Sequence, residues 1–159
     1  MTRRPSPNHA SSFPEHPADF TVNARVIFLG TGTSSGVPAI GCTCRVYQSS
    51  DPRDKRLRPS IYLDIPGRAS ILVDTSPDLR QQALMHGVTR VDAVLFTHSH
   101  ADHILGLDEI RRFNVMQHGA IPCYATADVW DNIRRTFHYV FDGKPRRGGG
   151  IPLVEFREI

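Results

Sequence analysis

The stretch Val91-Asp92-Ala93-Val94-Leu95-Phe96-Thr97-His98-Ser99-His100-Ala101-Asp102-His103 decides the reading of this chain. Its first half, Val91 to Thr97, is apolar and β-branched and predicts a buried strand. Its second half gathers His98, His100, Asp102 and His103, four metal-ligand side chains within six positions, at the end of that strand. In an extended backbone, side chains two apart share a face, so His98 and His100 reach toward one ion. Asp102 and His103 lie past the turn, where they aim at a second ion. A water shared by two such ions is acidified into a hydroxide nucleophile. A histidine-rich turn can be plain polar surface, but four ligand-type residues spaced this way behind an apolar strand are hard to produce by chance. The isolated histidines His9, His16, His86, His118 and His138 have no such company and read as ordinary residues.

Working back toward the N-terminus, Val73-Asp74 ends another buried-looking run, and Asp74 is the best carboxylate to accept the spare N–H of a metal-bound imidazole. The alternative is a turn or cap aspartate. Ser60 to Ile65 and Ser70 to Asp74 predict a hairpin turning at Pro66-Gly67-Arg68. A helix follows, capped by Thr75 or Ser76 with Pro77 at its first position, carrying Leu79, Ala83 and Leu84 on one face and stopping at Gly87. Ala24 to Leu29 predicts a first strand, the small residues Gly30 to Pro38 a loop, and the polar Gln48 to Pro59 an exposed loop. Beyond the cluster, Ile104, Leu107 and Ile110 to Arg112 sit at helical spacing. Ile121 to Ala125 predicts a strand, Thr126 an N-cap, and Val129, Ile133 and Phe137 an apolar helical stripe. Gly148-Gly149-Gly150 then opens a last strand, Ile151 to Phe156. These elements predict an α+β fold, a mixed sheet with helices packed on it.

The composition agrees with one globular unit: 159 residues, 40% hydrophobic, 22% charged and a formal net charge of +3. No apolar run approaches the roughly 20 residues of a membrane-spanning helix. Residues 1–22 carry Pro5, Pro7, Pro14 and Pro17 and lack the apolar core of a secretory signal, so a disordered leader on a cytoplasmic protein is expected, with the folded domain over 23–159. Cys42, Cys44 and Cys123 are an odd count, and the close pair suits metal or thiol chemistry better than a disulfide framework. The arginines are spread along the chain, so the basic balance tolerates anionic substrates without indicating nucleic acid.

Thr97-His98-Ser99-His100-Ala101-Asp102-His103 resembles the T-H-x-H-x-D-H signature of the metallo-β-lactamase superfamily, whose fold is an αββα sandwich with a binuclear metal site at one edge. Gly30 to Pro38, Gly41-Cys42-Thr43-Cys44, Val73 to Arg80 and Gly106 to Arg111 are similar, in order, to the branch containing phosphoribosyl cyclic phosphate phosphodiesterases. Ribonuclease Z is a more distant relative. The resemblance implies that His98 and His100 bind one metal, and Asp102 and His103 another, with Asp102 also orienting the bridging water. It implies that Asp74 braces the histidine loop, that Thr97 helps to hold it, and that the two ions are zinc or manganese.

A complete site of that family takes a further histidine, a bridging aspartate and another histidine from downstream, and this chain stops at Ile159 without them. The sequence therefore reads as the N-terminal half of the sandwich, with an uncovered sheet face that predicts association, such as a homo-oligomer. In the resembling branch the segment around Cys42 and Cys44 can hold a structural zinc, and ordinary loop cysteines are the alternative. Cys123 reads as a small core residue. The Gly30 to Gly36 loop invites an anion-binding reading, but a tight turn accounts for it better. Arg111 is a candidate to meet a substrate phosphate. The expected function is hydrolysis of a small cyclic or ribosyl phosphodiester. The alternatives are a non-catalytic metal-binding half-domain and a ribonuclease Z-like RNA-processing hydrolase, the latter needing a basic surface that the sequence lacks.

Overall fold

In the computed structural model the described residues are 22–144 and 150–159. The expected leader therefore falls outside them up to residue 21, as do Gly148 and Gly149. The apolar runs become strands β1 (Arg25–Gly30), β2 (Ser60–Ile65), β3 (Ala69–Val73), β4 (Ala93–Leu95), β5 (Ile121–Ala125) and β6 (Val154–Glu158). They form one six-stranded sheet in sequence order. The strands β1, β2 and β3 pair antiparallel, and β3 to β6 pair parallel. A short turn suffices between antiparallel partners, whereas each parallel step needs a crossover. The helices α2 (Leu79–His86), α4 (Ile110–Gln117) and α5 (Ala127–Thr136) lie in those crossovers, with shorter α3 (Ala101–Ile104) and α6 (His138–Phe141) beside them and α1 (Arg45–Gln48) in the loop after β1.

Side chains alternate across the sheet, and the two faces differ in cover. One face carries Leu29, Tyr62, Leu72, Val94 and Cys123 into a core completed by Leu79, Ile110, Phe113, Val129, Trp130 and Ile133 from the helices. The register places Phe28, Ile61, Val73, Leu95 and Tyr124 in one row of the opposite face, with Val26, Leu63, Ile71, Ala93 and Pro122 in the next. Both rows are apolar, and at the β1 edge Val26 and Phe28 are 55% and 61% exposed. The described residues thus form one sheet with a covered and an open face, which is half of the expected sandwich.

Several local expectations are corrected. The helix after the hairpin begins at Leu79 with Asp78 as N-cap, because Ser76 Oγ accepts the Asp78 N–H and donates to buried Gln82, which holds residues 76–78 as a turn. Leu84 is exposed rather than packed inward, and Gln82 takes the buried place. The helix after the histidine cluster is broken into α3, a 3-10 turn at Leu107–Glu109, and α4. Gly106 sits at the break, against the backbone of Ser76, where a Cβ would stand 2.0 Å from the carbonyl oxygen. The polar segment after Gln48 contains a 3-10 turn at Pro52–Asp54, with α1 just before it. Thr126 is the N-cap residue of α5, but its hydroxyl donates to Asp128 rather than capping a backbone N–H. The last strand begins at Val154, not Ile151. Among the described residues no helix is long and apolar enough to cross a membrane.

Candidate metal centre

The site is built where β3 and β4 end side by side. Asp74 follows β3 with φ 61°, in the left-handed region that a non-glycine residue rarely adopts, and is almost fully buried. Its N–H donates to the Leu95 carbonyl, and its own carbonyl accepts Ser60 Oγ–H. So fixed, its carboxylate points at the segment leaving β4. Oδ1 accepts the Thr97 N–H at 2.8 Å, and Oδ2 accepts Thr97 Oγ1–H and His103 Nδ1, each at 2.7 Å. The next residues are laced to the same segment: the Thr75 N–H donates to the His103 carbonyl, Thr75 Oγ1–H to the Ile104 carbonyl, and the Gly106 N–H to the Thr75 carbonyl.

These contacts assign the ring protons. A carboxylate oxygen only accepts, so His103 Nδ1 carries a proton, and in the neutral ring Nε2 carries the lone pair. Thr97 Oγ1 spends its proton on Asp74 and therefore accepts from His98 Nδ1, 3.0 Å away, which leaves His98 Nε2 as a second lone pair. The ring centroids of His98 and His103 are 3.9 Å apart, and those of His98 and His100 4.7 Å. His103 Nε2 faces Asp102 Oδ2 at 3.2 Å. Two lone pairs that close repel unless a proton or a cation lies between them. In donor chemistry the cluster fits a divalent ion, with oriented imidazoles and a carboxylate at one rim. Among the described residues, however, no three such donors converge so as to hold an ion by themselves.

The structure therefore brings together Asp74, Thr97, His98, His100, Asp102 and His103. Arg111 is engaged elsewhere: its Nη1–H donates to Asp108 at 2.9 Å, and its side chain lines a groove of about 540 Å³ between α2 and α4 with Arg80, Leu84 and Met116. The glycines at 30 and 32 are accounted for by backbone approach, since a Cβ at either would collide with the carbonyls of residues 56–58. Cys42 Sγ–H donates to Cys44 Sγ at 2.8 Å. That bond, then the Tyr47 N–H, holds the Cys44 thiol below its ordinary range.

Two supporting contacts escape the sequence reading. Asn132 on α5 donates to Ser99 Oγ at 3.0 Å, bracing the loop between the two leading histidines. Tyr139 donates to Asp108 Oδ1 at 2.6 Å. Burial, then the Asp108 carboxylate, pushes the tyrosine hydroxyl up to about 12, so it stays a donor. Both contacts span more than 30 residues of chain between separate elements. No local spacing signals them.

Comparison with known proteins gives a consistent result. The family model described as a beta-lactamase superfamily domain matches residues 69–159. A protein of Porphyromonas gingivalis named octanoyltransferase is 47% identical over 135 residues, covering 85% of this chain and 27% of that protein. A crystal structure of a diphosphatase from the PhnP family superposes with a TM-score of 0.74 at 41% identity, covering 86% of this chain and 51% of the other. The zinc-bound PqqB of Methylobacterium extorquens shares the fold, with a TM-score of 0.65 at 23% identity, covering 84% of this chain and 45% of its own. The chain spans between about a quarter and a half of the length of these proteins.

Proposed function

Because the chain belongs to the β-lactamase superfamily, we propose that it supplies the metal-holding loop of a metal-dependent hydrolase acting on a small phosphorylated substrate. The observation that carries this reading is the facing pair of His103 Nε2 and Asp102 Oδ2, 3.2 Å apart, with the far side of the imidazole fixed by Asp74. His98 and His100 would hold one ion, and Asp102 and His103 a second. Imidazole and carboxylate suit zinc or manganese alike. Such ions, when bound, acidify a water and neutralise charge on phosphoryl oxygens.

The remaining work belongs to the chain's own residues. Asp74 locks the His103 tautomer and, through Thr97, that of His98, so both rings present lone pairs without reorganisation. Asn132 holds Ser99 and limits drift of the histidine loop. Asp102 stands at the rim as acceptor for a proton of the attacking water, orienting its lone pair. The 41% identity to a PhnP-family diphosphatase supports phosphoryl chemistry, and the substrate proposed is a cyclic or ribosyl phosphodiester. Donors beyond these four would come from outside the 159 residues. A non-catalytic metal-binding half-domain is the reading to test against.

The test is to titrate zinc and manganese into chelator-treated protein, both as this chain and as a version of the length of its relatives, and to assay a cyclic phosphodiester and a diphosphate. The longer version is expected to bind two ions and hydrolyse the phosphodiester, with His100→Ala abolishing both. Two bound ions with every phosphodiester and diphosphate left intact would overturn the assignment.

A further inference from the structure

The groove between α2 and α4 shares no residue with the histidine cluster, and the proposed hydrolysis makes no use of it. Its lining repeats one pattern. Arg80 and Leu84 stand four residues apart on α2, as do Arg111 and Val115, and Arg112 and Met116, on α4. Each guanidinium therefore lies about 6 Å, one helical turn, from an apolar side chain on the same helix face. Both helices fill crossovers between parallel neighbours, β3 to β4 and β4 to β5, so they run back along the sheet in the same direction. The arginines, all in first turns, thus gather at one end of the groove with the positive ends of the helix dipoles, and Leu84, Val115 and Met116 gather at the other. Leu84 and Val115 are 67% and 60% exposed, over a floor that includes buried Val88 and Phe113. At the cationic end the charges do not cancel. Glu109 is the one carboxylate in the lining, and Asp108 holds Arg111 through Nη1. Three guanidiniums against these two carboxylates leave one positive charge uncompensated.

We propose that this groove binds a free alkyl carboxylate, with the chain laid over Leu84, Val115 and Met116 and the head between the guanidiniums of Arg80 and Arg112. The single negative charge of a carboxylate matches the one that the groove leaves uncompensated, and its two oxygens match the planar guanidinium fork. The change from cationic to apolar lining over one helical turn matches a molecule with one charged end. The volume of about 540 Å³ falls within the roughly 300–1,000 Å³ usual for small-ligand sites. Arg80 and Arg112 are exposed and, among the described residues, make no ion pair, so neither gives up a partner when the head arrives.

The experiment labels the methionine methyls with carbon-13 and titrates decanoate, below its micelle concentration, into this chain and into a version of the length of its relatives. Met116 lines the groove and Met85 does not, so the two resonances report on the site and on its surroundings. A saturable shift of Met116 alone is expected in both proteins, with hexanoate weaker than decanoate by at least about tenfold. Arg80→Gln combined with Arg112→Gln should weaken decanoate by about tenfold or more through the lost charge-assisted bonds, and Leu84→Asp should do the same through the lost apolar contact. All three side chains are exposed, and circular dichroism checks that the variants keep the fold. Phe28→Glu, on the open sheet face, should leave the Met116 shift unchanged. The proposal is overturned if decanol or decyltrimethylammonium shifts Met116 at the same concentration, if the double arginine variant binds like the parent, or if Phe28→Glu removes the shift. A response only to anionic lipid vesicles would overturn it in favour of a membrane surface. A shift that follows protein concentration instead of decanoate would give the groove to a second copy, and silence in the longer version alone would give it to further chain. None of these readouts depends on metal or on hydrolytic activity.

Discussion

His103 and Asp74, 29 residues apart in sequence, meet in a 2.7 Å hydrogen bond from Nδ1 to Oδ2, and Asp74 makes it from a left-handed backbone at φ 61°. A strained, buried carboxylate held in place by the ends of two strands is a costly arrangement, of order 1–3 kcal/mol, that packing alone does not require. Asp74→Asn keeps the shape and tolerates the backbone, but its one carbonyl oxygen cannot accept all three bonds from Thr97 and His103, and its NH2 group would face a donor. The expected outcome is a folded protein whose zinc affinity falls about 10- to 100-fold. Competition with a chromophoric chelator measures it, and nitrogen-15 shifts of the His103 ring should show Nδ1 losing its fixed proton. Unchanged affinity together with an unchanged ring tautomer would contradict the bracing role.

Gly106 is where the chain turns beneath the histidine loop, and a Cβ there would stand 2.0 Å from the Ser76 carbonyl oxygen. Gly106→Ala should therefore destabilise by about 1–3 kcal/mol, since backbone must move against backbone. Gly119→Ala is the control: its nearest neighbour would lie 3.9 Å away, and it should stay within about 0.5 kcal/mol of the parent. Urea unfolding of the two variants side by side measures the difference.

The sheet was legible in the sequence because these strands are short apolar runs with a chemical stop: Gly30 at the end of β1, Pro66-Gly67 after β2, Asp74 after β3. The grouping of His98, His100, Asp102 and His103 was legible for the same reason, since strand geometry converts their spacing into proximity. What was not legible depends on contacts between elements. Ser76 reads as a helix cap, yet in the fold its hydroxyl goes to Gln82 and to the Asp78 N–H, which moves the helix start to Leu79. Asn132 carries no local pattern that pairs it with Ser99. Arg111 has a neighbour at Asp108, three residues back, that satisfies it before any substrate does.

The open face of the sheet yields a third expectation. Val26 and Phe28 are more than half exposed on an edge strand whose next rows, Leu63 and Ile61, continue the apolar surface. Contiguous apolar surface of this kind drives association. The 159-residue chain should sediment as concentration-dependent oligomers and bind an apolar dye, and Phe28→Glu should shift it toward monomer and weaken the dye signal. A dye-silent monomer at all concentrations would show that the face is covered by other means.

Asn132 gives a fourth. Asn132→Ala removes the bond to Ser99 while leaving the four donor side chains intact. Losing one partly buried hydrogen bond costs about 0.5–1.5 kcal/mol. The histidine loop should then show faster amide exchange at residues 98–100, while the core around Ile133 stays protected. Equal exchange in variant and parent would mean that the loop is held by Asp74 and Thr97 alone.

The last prediction concerns alkaline pH. Burial pushes the Cys123 thiol up to about 12, and Tyr139 is likewise raised to about 12 by burial and by the Asp108 carboxylate. Both groups keep their protons in the folded chain at pH values where the unfolded chain has released them, so the unfolded state binds fewer protons and stability falls as pH rises. The loss starts near the ordinary thiol value of about 8.5 and continues toward about 12. For the fully buried thiol the slope approaches about 1.4 kcal/mol per pH unit within that window, whereas the part-exposed tyrosine adds a smaller, solvent-screened share. Urea midpoints between pH 8 and 11 should therefore decline, and Cys123→Ala should flatten much of the decline while lowering stability at neutral pH through the lost volume. A slope that Cys123→Ala leaves unchanged would place the alkaline sensitivity elsewhere, with Tyr139→Phe as the next variant to separate the two.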